Sequence, residues 1–337
     1  MNNHQVCISL ICLLLISACN VVPTSKVVEI PGRSARTYYV VTYYDAEGRN
    51  FQKEMESLLA DFDRTASMWV ENSIISKINR NEYDVQPNNL FIHLFELSNE
   101  IYEQSNGAFD PTVGPLVNAW GFGFTDRMKV DQHVVDSLLP LVGFNRVKLE
   151  DGQVIKNDAR IQFDFNAIAQ GYSVDLVGEF LNEKGIKNFL IDIGGEVLAK
   201  GTKPNGELWK VGIENPKDNA QYGEGLKAIV TLKNRAMATS GNYRKFYEED
   251  GVRYSHTIDP KTGYPVQHSI LSVSVLADDC ASADAWATTF MVLGFEKSME
   301  ILADNKSLEA YFIYSGIEGS MQTHFTGGFK DILLEEM

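Results

Sequence analysis

The spacing of apolar residues predicts a chain in which helices and strands are mixed. Apolar side chains recur every three to four positions between Phe51 and Phe62, and again from about residue 90 to 104, as in helices with one buried face. Residues 37–44 are rich in β-branched and aromatic residues and predict the first strand of the folded part. Turn-forming residues dominate 107–116, so we expect a loop there that other parts of the protein hold in place.

A strand–helix–strand pattern follows in the second half. Apolar and polar residues alternate over 161–165, an apolar residue recurs every four positions from Ile168 to Phe180, and 189–193 is mostly apolar. We therefore expect a βαβ-like unit within a mixed α+β fold. The later predicted elements are strands at 228–232 and 269–276 and a helix from about 281 to 293, closed by Gly294. The sequence contains neither G-x-G-x-x-G nor G-x-x-x-x-G-K-[ST], which disfavours a Rossmann or P-loop mode of nucleotide binding.

The first 19 residues match an export signal that ends on a cysteine. An apolar run at 6–16 leads into I-S-A-C, the small-residue pattern of a cleavage site, and it looks like a bacterial lipobox in which Cys19 carries lipid. The alternative, a short transmembrane anchor, would need about 20 apolar residues, and this run is shorter. The predicted boundaries are a lipoprotein signal peptide at 1–18, a tether at 19–31 and one folded domain at 32–337.

The cysteine count and the net charge narrow the possible classes of protein. Cleavage before Cys19 would remove Cys7 and Cys12, so Cys280 would be the only remaining thiol and no internal disulfide is expected. The 337 residues, 44% of them hydrophobic, supply an ordinary core. A net charge of -15 argues against binding to nucleic acid and against charge-driven adhesion to anionic lipid headgroups. Membrane attachment would therefore depend on the lipid alone.

Three short motifs carry the candidate chemistry. A-T-S-G-N-Y-R begins at Ala238, S-H-T-I-D-P-K-T-G-Y-P at Ser255 and A-D-A-W-A-T-T at Ala283. They place a hydroxyl-rich glycine turn, a histidine before an Asp-Pro turn, and Asp284 four residues before Thr288. This combination suits a phosphorylated ligand held beside a hard cation, since i and i+4 side chains share one face of a helix.

Each motif also has a structural interpretation. Asp284 could offset the helix dipole from a surface position in the first turn, and Thr288 could pack against a neighbour. His256 could simply support the Asp-Pro turn, and Gly194 and Gly195 could form a tight turn after a strand. The residue types alone leave both interpretations open.

Taken together and in this order, the motifs resemble the ApbE family, the FAD:protein FMN transferases. Two further segments share the resemblance: G-A-F-D-P-T, which begins at Gly107, and D-F-N-A-I-A-Q-G-Y, which begins at Asp164. The resemblance extends from about Ser67 to the C-terminus. It implies a mixed α/β, T-fold-related, single catalytic domain.

The resemblance also implies roles for individual residues. Mg²⁺ would be bound by Asp284, Thr288 and the backbone carbonyl of Ala167, and His256 would be the catalytic base. Some relatives have a second Asp where this chain has Ala287. The positions that match FAD contacts are Trp69, Ala108, Phe109, Asp110, Asp164, Gln170 and Ile258. Trp69 stands where relatives usually have Tyr, and Gln170 where they often have Lys or Glu. An N-terminal motif of the family is only weakly matched at 35–37.

Two glycine-containing segments have a composition suited to the phosphate and adenosine parts of FAD. The hydroxyls of Thr239 and Ser240 beside Gly241 suit a phosphate group. Gly194 and Gly195 would let the backbone approach the adenosine half.

The implied function is Mg²⁺-dependent transfer of the FMN part of FAD to a Thr or Ser hydroxyl of a client protein, with release of AMP. Family clients are typically membrane-bound electron-transfer subunits, so we expect a lipid-anchored enzyme that faces the periplasm or the cell exterior. One alternative keeps the site but uses water, which gives an FAD pyrophosphatase. Another is a flavin-binding lipoprotein without catalysis, although a binder needs neither a cation nor a base.

Overall fold

A computed structural model describes residues 25–34, 37–123, 127–216, 225–243, 246–249, 252–316 and 320–337. The strands are β1 (Lys26–Ser34), β2 (Thr37–Asp45), β3 (Val147–Glu150), β4 (Gln153–Lys156), β5 (Phe189–Ile193), β6 (Glu196–Lys200), β7 (Trp209–Glu214), β8 (Leu226–Leu232), β9 (Arg235–Gly241), β10 (Phe246–Glu249), β11 (Val252–Ser255), β12 (Ile270–Ala277), β13 (Glu309–Ser315), β14 (Met321–Phe325) and β15 (Leu333–Glu336). The α-helices are α1 (Gln52–Ala66), α2 (Ile74–Asn79), α3 (Asn89–Gln104), α4 (Gly114–Ala119), α5 (Gln132–Leu138), α6 (Ala169–Glu183), α7 (Cys280–Leu293), α8 (Phe295–Asp304) and α9 (Gly327–Lys330).

An antiparallel sheet of eight strands forms the centre of the protein. Its strands lie in the order β1-β2-β5-β6-β9-β12-β13-β14. A second sheet has the order β15-β8-β7, and β3–β4 and β10–β11 form two separate hairpins. The described part of the chain is therefore an α+β fold, as expected.

The central strand β9 shows how both faces of the large sheet are covered. Ala236 and Ala238 pack in the main core with α6 and α7, whereas Met237 between them packs in a second core with the three-stranded sheet. Successive side chains of a strand point to opposite faces, so one short strand serves both cores. The result is three layers, with helices and the small sheet on either side of the large sheet.

Several predicted elements are confirmed. Periodicity identified α1, α3 and α6, the helix expected from about 281 to 293 corresponds to α7, and Gly294 ends α7 with a φ of +79°. The expected strands correspond to β2, β5, β8 and β12. Turns occupy most of 107–116, although helix α4 already begins at Gly114. Cys280 is a buried free thiol, and no helix in the described ranges has the length and apolar character to cross a membrane.

The predicted tether is wrong from Lys26 onward. These residues form β1, which pairs with the whole of β2. Only Ile30 of this strand is buried, because β1 lies at the edge of the sheet and its pairing depends on backbone hydrogen bonds. The sequence therefore lacks the alternation that would have revealed a strand.

The predicted strand at 161–165 is also wrong, and with it the βαβ-like unit. The side chains do alternate between buried and half-buried, but the segment makes a single bridge, between Val113 and Gln162. The Asn79 side chain takes the place of a neighbouring strand: its amide donates to Phe163 O at 2.8 Å and accepts from Phe163 N at 2.7 Å. After α6, strand β5 pairs antiparallel with β2 and β6.

Candidate active site

Helices α6 and α7 cross at a glycine. A side chain on Gly171 would overlap the backbone carbonyl of Cys280, so α7 can lie this close only because residue 171 has none. Asp175, one turn further along α6, accepts the N–H groups of Cys280 and Ala281, each at 2.8 Å. Burial raises the pKa of the Asp175 carboxyl to about 7. The first turn of α7 is thus fixed against α6.

Asp284 uses this crossing to contact the backbone of α6. Its side chain is 6% exposed, and Oδ2 accepts the Gly171 N–H at 3.0 Å. Gly171 lies in the first turn of α6, where backbone N–H groups have no carbonyl partner within the helix, so Asp284 supplies the acceptor from another helix. Ala167 lies two residues before the start of this helix. The surface position considered for Asp284 is therefore wrong, because α6 covers this face of α7.

The hydroxyl groups of β9 divide between its two faces. Ser240 faces α7, where its Oγ lies 2.9 Å from Oγ1 of Thr288. Oγ1 of Thr239 instead lies 2.7 Å from Oγ of Ser274, on the neighbouring strand β12. Ser240 and Thr288 therefore belong to one site, and Thr239 does not contribute its hydroxyl to the same side.

The turn between β5 and β6 closes the site from another direction. Gly194 and Gly195 have φ values of +69° and +107°, which favour glycine, and a side chain at Gly194 would overlap Gln170. Gln170, in the first turn of α6, donates from Nε2 to Ile193 O at 3.2 Å and also to Oε2 of Glu196. We call Ala167, Gln170, Gly171, Glu196, Ser240, Asp284 and Thr288 the cation cradle.

The cation cradle contains two buried carboxyl groups. Burial raises the pKa of Asp284 to about 7. Burial, and then the negative charge of Asp284, raise the pKa of Glu196 well above its ordinary value; its side chain is 8% exposed. A bound divalent cation would offset both effects by favouring the ionised carboxylates.

The donor set of the cation cradle fits a hard cation. A carboxylate, a hydroxyl and a backbone carbonyl are all oxygen ligands, which suit Mg²⁺ and leave coordination positions for water or phosphate oxygens. The described residues include no group of three His, Cys, Asp or Glu side chains placed to hold a metal ion.

The segment expected to contact the flavin turns its side chains inward. Ala108 and Phe109 are each 3% exposed, so the Phe109 ring is core and only the backbone can meet a ligand in this conformation. Asp110 Oδ1 accepts the N–H and the hydroxyl of Thr112 at 2.8 and 2.6 Å, and burial raises the Asp110 pKa to about 6. Asp110 is therefore held by its own turn.

Asp164 and Trp69 lie beside a cavity next to this segment. The Asp164 N–H donates to Pro111 O at 2.7 Å, and its Oδ1 accepts the Asn166 N–H at 2.8 Å. The cavity has a volume of about 330 Å³, and its lining includes Met68, Asn79, Gly114, Asn118 and Asp164. Trp69 follows Met68 in the chain and is 50% exposed, and an indole ring is suited to stacking on a flat ligand.

His256 follows β11 and precedes a tightly bonded turn. Asp259 N–H donates to Tyr264 O at 2.9 Å, and Gly263 N–H donates to Asp259 O at 2.8 Å. The neighbouring Thr257 donates its hydroxyl to Oδ1 of Asn242 at 3.0 Å, just beyond the end of β9. The turn therefore fixes His256 relative to the strand that carries Ser240.

Aromatic side chains support this turn from behind. Trp120 donates from Nε1 to Gly263 O at 2.9 Å and stacks on Tyr254 at 5.5 Å between ring centroids. Phe122 stacks on Tyr247 at 5.5 Å, and its ring meets the half-buried His256 ring edge-on at 6.3 Å. Ile258 packs against Trp120 and is 5% exposed, so only its backbone is available to a ligand. We call Trp120, Phe122, Tyr247, Tyr254, His256, Ile258 and Gly263 the histidine corner.

Comparison with known proteins identifies the family. A family model described as the ApbE family matches residues 36–312. The chain belongs to the ApbE family. An FAD:protein FMN transferase from Haemophilus influenzae is 33% identical over 334 residues, which cover 95% of this chain and 94% of that one. Another from Vibrio cholerae is 32% identical over 308 residues, with coverage of 89% and 90%.

Solved ApbE structures confirm the expected fold. The flavin transferase ApbE from Vibrio cholerae is similar with a TM-score of 0.82 at 30% identity, covering 92% of this chain and 100% of that one. The apo form of the flavinyl transferase ApbE from Pseudomonas stutzeri has a TM-score of 0.81 at 31% identity, with coverage of 91% and 97%. The mixed α/β ApbE-like architecture is therefore shown over nearly the whole chain.

Within this ApbE fold, sequence reasoning missed two members of the cation cradle, Gly171 and Glu196. Glu196 begins β6 directly after the glycine pair, and the second charged residue of the strand, Lys200, ends it. Burial does not alternate along β6, since Glu196 and Val197 are both buried, so the usable signal is an acidic residue directly after a glycine turn. Two other predictions concern residues that lie outside the described part of the chain. These residues are Cys19 and, within the weakly matched motif at 35–37, Ala35 and Arg36.

Proposed function

We propose that the chain is a Mg²⁺-dependent FAD:protein FMN transferase that attaches FMN to a Thr or Ser hydroxyl of an exported client protein. The support from similarity is the name that its full-length relatives share. The structural observation behind the proposal is the contact between Asp284 and Gly171, which brings a carboxylate to the first turn of α6, four residues from Ala167 in the chain.

The residues of the cation cradle would hold the pyrophosphate of FAD in place. Mg²⁺ bound by Asp284, Thr288 and the Ala167 carbonyl would neutralise charge on the pyrophosphate and on the departing AMP. Ser240 holds the Thr288 hydroxyl at 2.9 Å, which fixes its rotamer on the face that carries Asp284. Close packing of α6 on α7 buries the Asp284 carboxylate, whereas Ser240 and Thr288 are partly exposed.

His256 would act on the client rather than on FAD. Its imidazole would accept the proton of the client hydroxyl while that oxygen forms a bond to the FMN-side phosphorus. The bond from this phosphorus to the bridging oxygen breaks, and AMP leaves with that oxygen. The turn at Asp259–Tyr264 and the bond from Trp120 to Gly263 hold the imidazole in a fixed position relative to β9.

The direct test is incubation of the protein with FAD, Mg²⁺ and a candidate client, such as an exported flavin-accepting subunit of an electron-transfer complex. We expect the client to gain the mass of FMN at a Thr or Ser, together with an equal amount of AMP. Asp284→Asn under the same conditions should give neither product. Free FMN and AMP without a client adduct would identify a pyrophosphatase, and unaltered bound FAD would identify a flavin-binding lipoprotein.

We also propose that Cys19 carries lipid and anchors the enzyme on the outer face of a bacterial membrane. The support is I-S-A-C, with β1 beginning at Lys26, seven residues later. Seven residues reach about 25 Å at most, so the start of β1 would stay near the bilayer. The other end of the β1–β2 pair lies at the site, because a side chain on Gly194 would come within 2.6 Å of Thr37 Oγ1.

This geometry would hold the active site on the side of the hairpin that faces away from the bilayer, where a client domain can reach it. Mass spectrometry of the mature N-terminus tests the anchor. A diacylglyceryl-modified Cys19 is the expected result, and Cys19→Ser should leave an uncleaved or soluble protein with unchanged activity on a soluble client. A mature N-terminus at another residue would exclude the anchor.

A further inference from the structure

The first turn of α6 has no cap of its own. Ile168 occupies the N-cap position, and its side chain makes no hydrogen bond to the helix backbone. Helices usually begin at Ser, Thr, Asp or Asn because those side chains accept the unpaired N–H groups. Here Asp284 accepts the Gly171 N–H from another helix, so the turn depends on distant residues for its position.

Gln170 connects this turn to the β5–β6 hairpin. Its amide nitrogen donates both to Ile193 O and to Oε2 of Glu196, which accounts for its two N–H groups. Gly194 has no side chain and leaves room for that amide. The helix start and the hairpin are therefore joined through one side chain.

Glu196 is a poor choice for an ordinary structural acceptor. Besides Gln170, its carboxyl has a hydrogen bond with the Glu196 backbone, yet a buried carboxylate still loses hydration that a neutral oxygen in the same place would not. A cation nearby would offset this cost, so the charge is tolerated here while the oxygen is what holds the Gln170 amide. Glu196 accepts a hydrogen bond from Gln170, and Gln170 lies between Ala167 and Gly171 in the chain. Groups that orient metal ligands occupy this kind of position.

We propose that Glu196 is a positioning residue for divalent-cation binding: by holding the Gln170 amide, it fixes the first turn of α6 and so aims the Ala167 carbonyl at the cation. This inference rests on the proposed function, because it needs a cation in the cradle. It adds a residue that the family resemblance did not supply. Glu196 itself need not touch the cation or FAD.

Cation affinity, measured by titrating the purified protein with Mn²⁺ and following free Mn²⁺ by electron paramagnetic resonance, tests the proposal without using turnover. We expect Glu196→Ala to weaken binding about 10- to 100-fold, the usual effect of losing a partner of a metal ligand. Glu196→Gln keeps an oxygen for the Gln170 amide and should bind within about threefold of the parent. Glu309→Ala is the matched control, since Glu309 accepts the N–H of Gly328 in the first turn of α9.

A double-mutant cycle separates positioning from charge. If Glu196 acts through Gln170, Gln170→Ala should weaken Mn²⁺ binding similarly, and adding Glu196→Ala to it should cause little further loss. Parent-like affinity in Glu196→Ala, equal loss in Glu196→Gln and Glu196→Ala, or additive losses in the double variant would each overturn the proposal. If Glu196→Ala does not fold, Glu196→Gln and Gln170→Ala still decide it. A parent protein that binds no Mn²⁺, with or without FAD, would instead refute the cation-dependent function.

Discussion

The cation cradle and the histidine corner are built in different ways. Asp284 and Glu196 are less than a tenth exposed, and each accepts a hydrogen bond from the first turn of α6. His256 is half-buried and is held by a turn that stacked aromatic rings support. The first region lies in the main core, and the second is a satellite of it.

Under the proposed function, the difference corresponds to what each region would contact. Charges that stabilise a pyrophosphate act most strongly where water is excluded and distances are fixed, so the cation cradle belongs between two packed helices. A base that takes a proton from another protein must remain accessible to that protein. The histidine corner therefore needs rigidity without full burial, which aromatic stacking on a hairpin provides.

The largest effect should come from removing the charge of the cation cradle. Asp284→Asn keeps an oxygen for the Gly171 N–H but not the carboxylate, so Mg²⁺-dependent AMP release should fall to the background rate while the fold persists. The assay is AMP release against Mg²⁺ concentration, with circular dichroism as the check on folding. Turnover near that of the parent at low Mg²⁺ would show that Asp284 is not a ligand.

The next effect concerns the histidine corner alone. His256→Ala should slow single-turnover transfer by roughly 10²- to 10⁴-fold, the usual contribution of a general base, while FAD and Mn²⁺ affinities stay near those of the parent. His133→Ala, at an exposed histidine, is the control and should transfer FMN normally. If His256→Ala transfers FMN at a rate within a few-fold of the parent at saturating FAD, His256 is not the base. Catalysis would then depend on the cation cradle alone.

A smaller effect tests whether the close approach of α6 and α7 sets up the cation cradle. Gly171→Ala would push the helices apart at Cys280, and overpacking of this kind costs about 1–3 kcal/mol of unfolding free energy. Mn²⁺ affinity should fall in the same variant, since Asp284 would lose its contact with the Gly171 N–H. Urea unfolding and Mn²⁺ titration measure the two effects. Gly327→Ala, where a new Cβ meets open space, should change neither.

The smallest effect is a change in how stability depends on pH. The Asp175 pKa is raised from 3.8 to about 7 by burial, so the folded state binds a proton that the unfolded state releases between these values. Its contribution to stability is therefore present at acid pH and lost as pH rises from about 4 to about 7, with a slope of at most about 1.4 kcal/mol per pH unit. Asp175→Asn should flatten this decline, which urea unfolding at several pH values would show. An unchanged pH profile would place the Asp175 pKa near its ordinary value.

The periodicity of apolar residues predicted an element correctly where that element depends on its own local sequence. The spacing of apolar residues gives α1, α3 and α6, because a helix that packs on a core needs one apolar face. The same geometry puts Asp284 and Thr288 on one face of α7, since residues four apart are neighbours on a helix. These features are local, and a single segment contains them.

The segments that sequence reasoning misjudged depend on partners far away in the chain. Residues 161–165 alternate as a strand does, yet the side chain of Asn79 takes the hydrogen bonds that a neighbouring strand would make. Residues 26–31 show no alternation, yet they pair with β2 at the edge of the sheet. In both cases the pattern of burial and the pattern of backbone pairing are set by different contacts.

The sequence by itself determined the fold class, the family and the one helical face that carries Asp284 and Thr288. Only the tertiary structure decided that Asp284 is buried, that it takes the Gly171 N–H, and that Glu196 reaches Gln170 across 26 positions of the chain. The physical reason is that spacing fixes which side chains share a face, whereas burial and hydrogen-bond partners depend on what packs against that face. In this protein the packing partner is α6, which can approach α7 because residue 171 is a glycine.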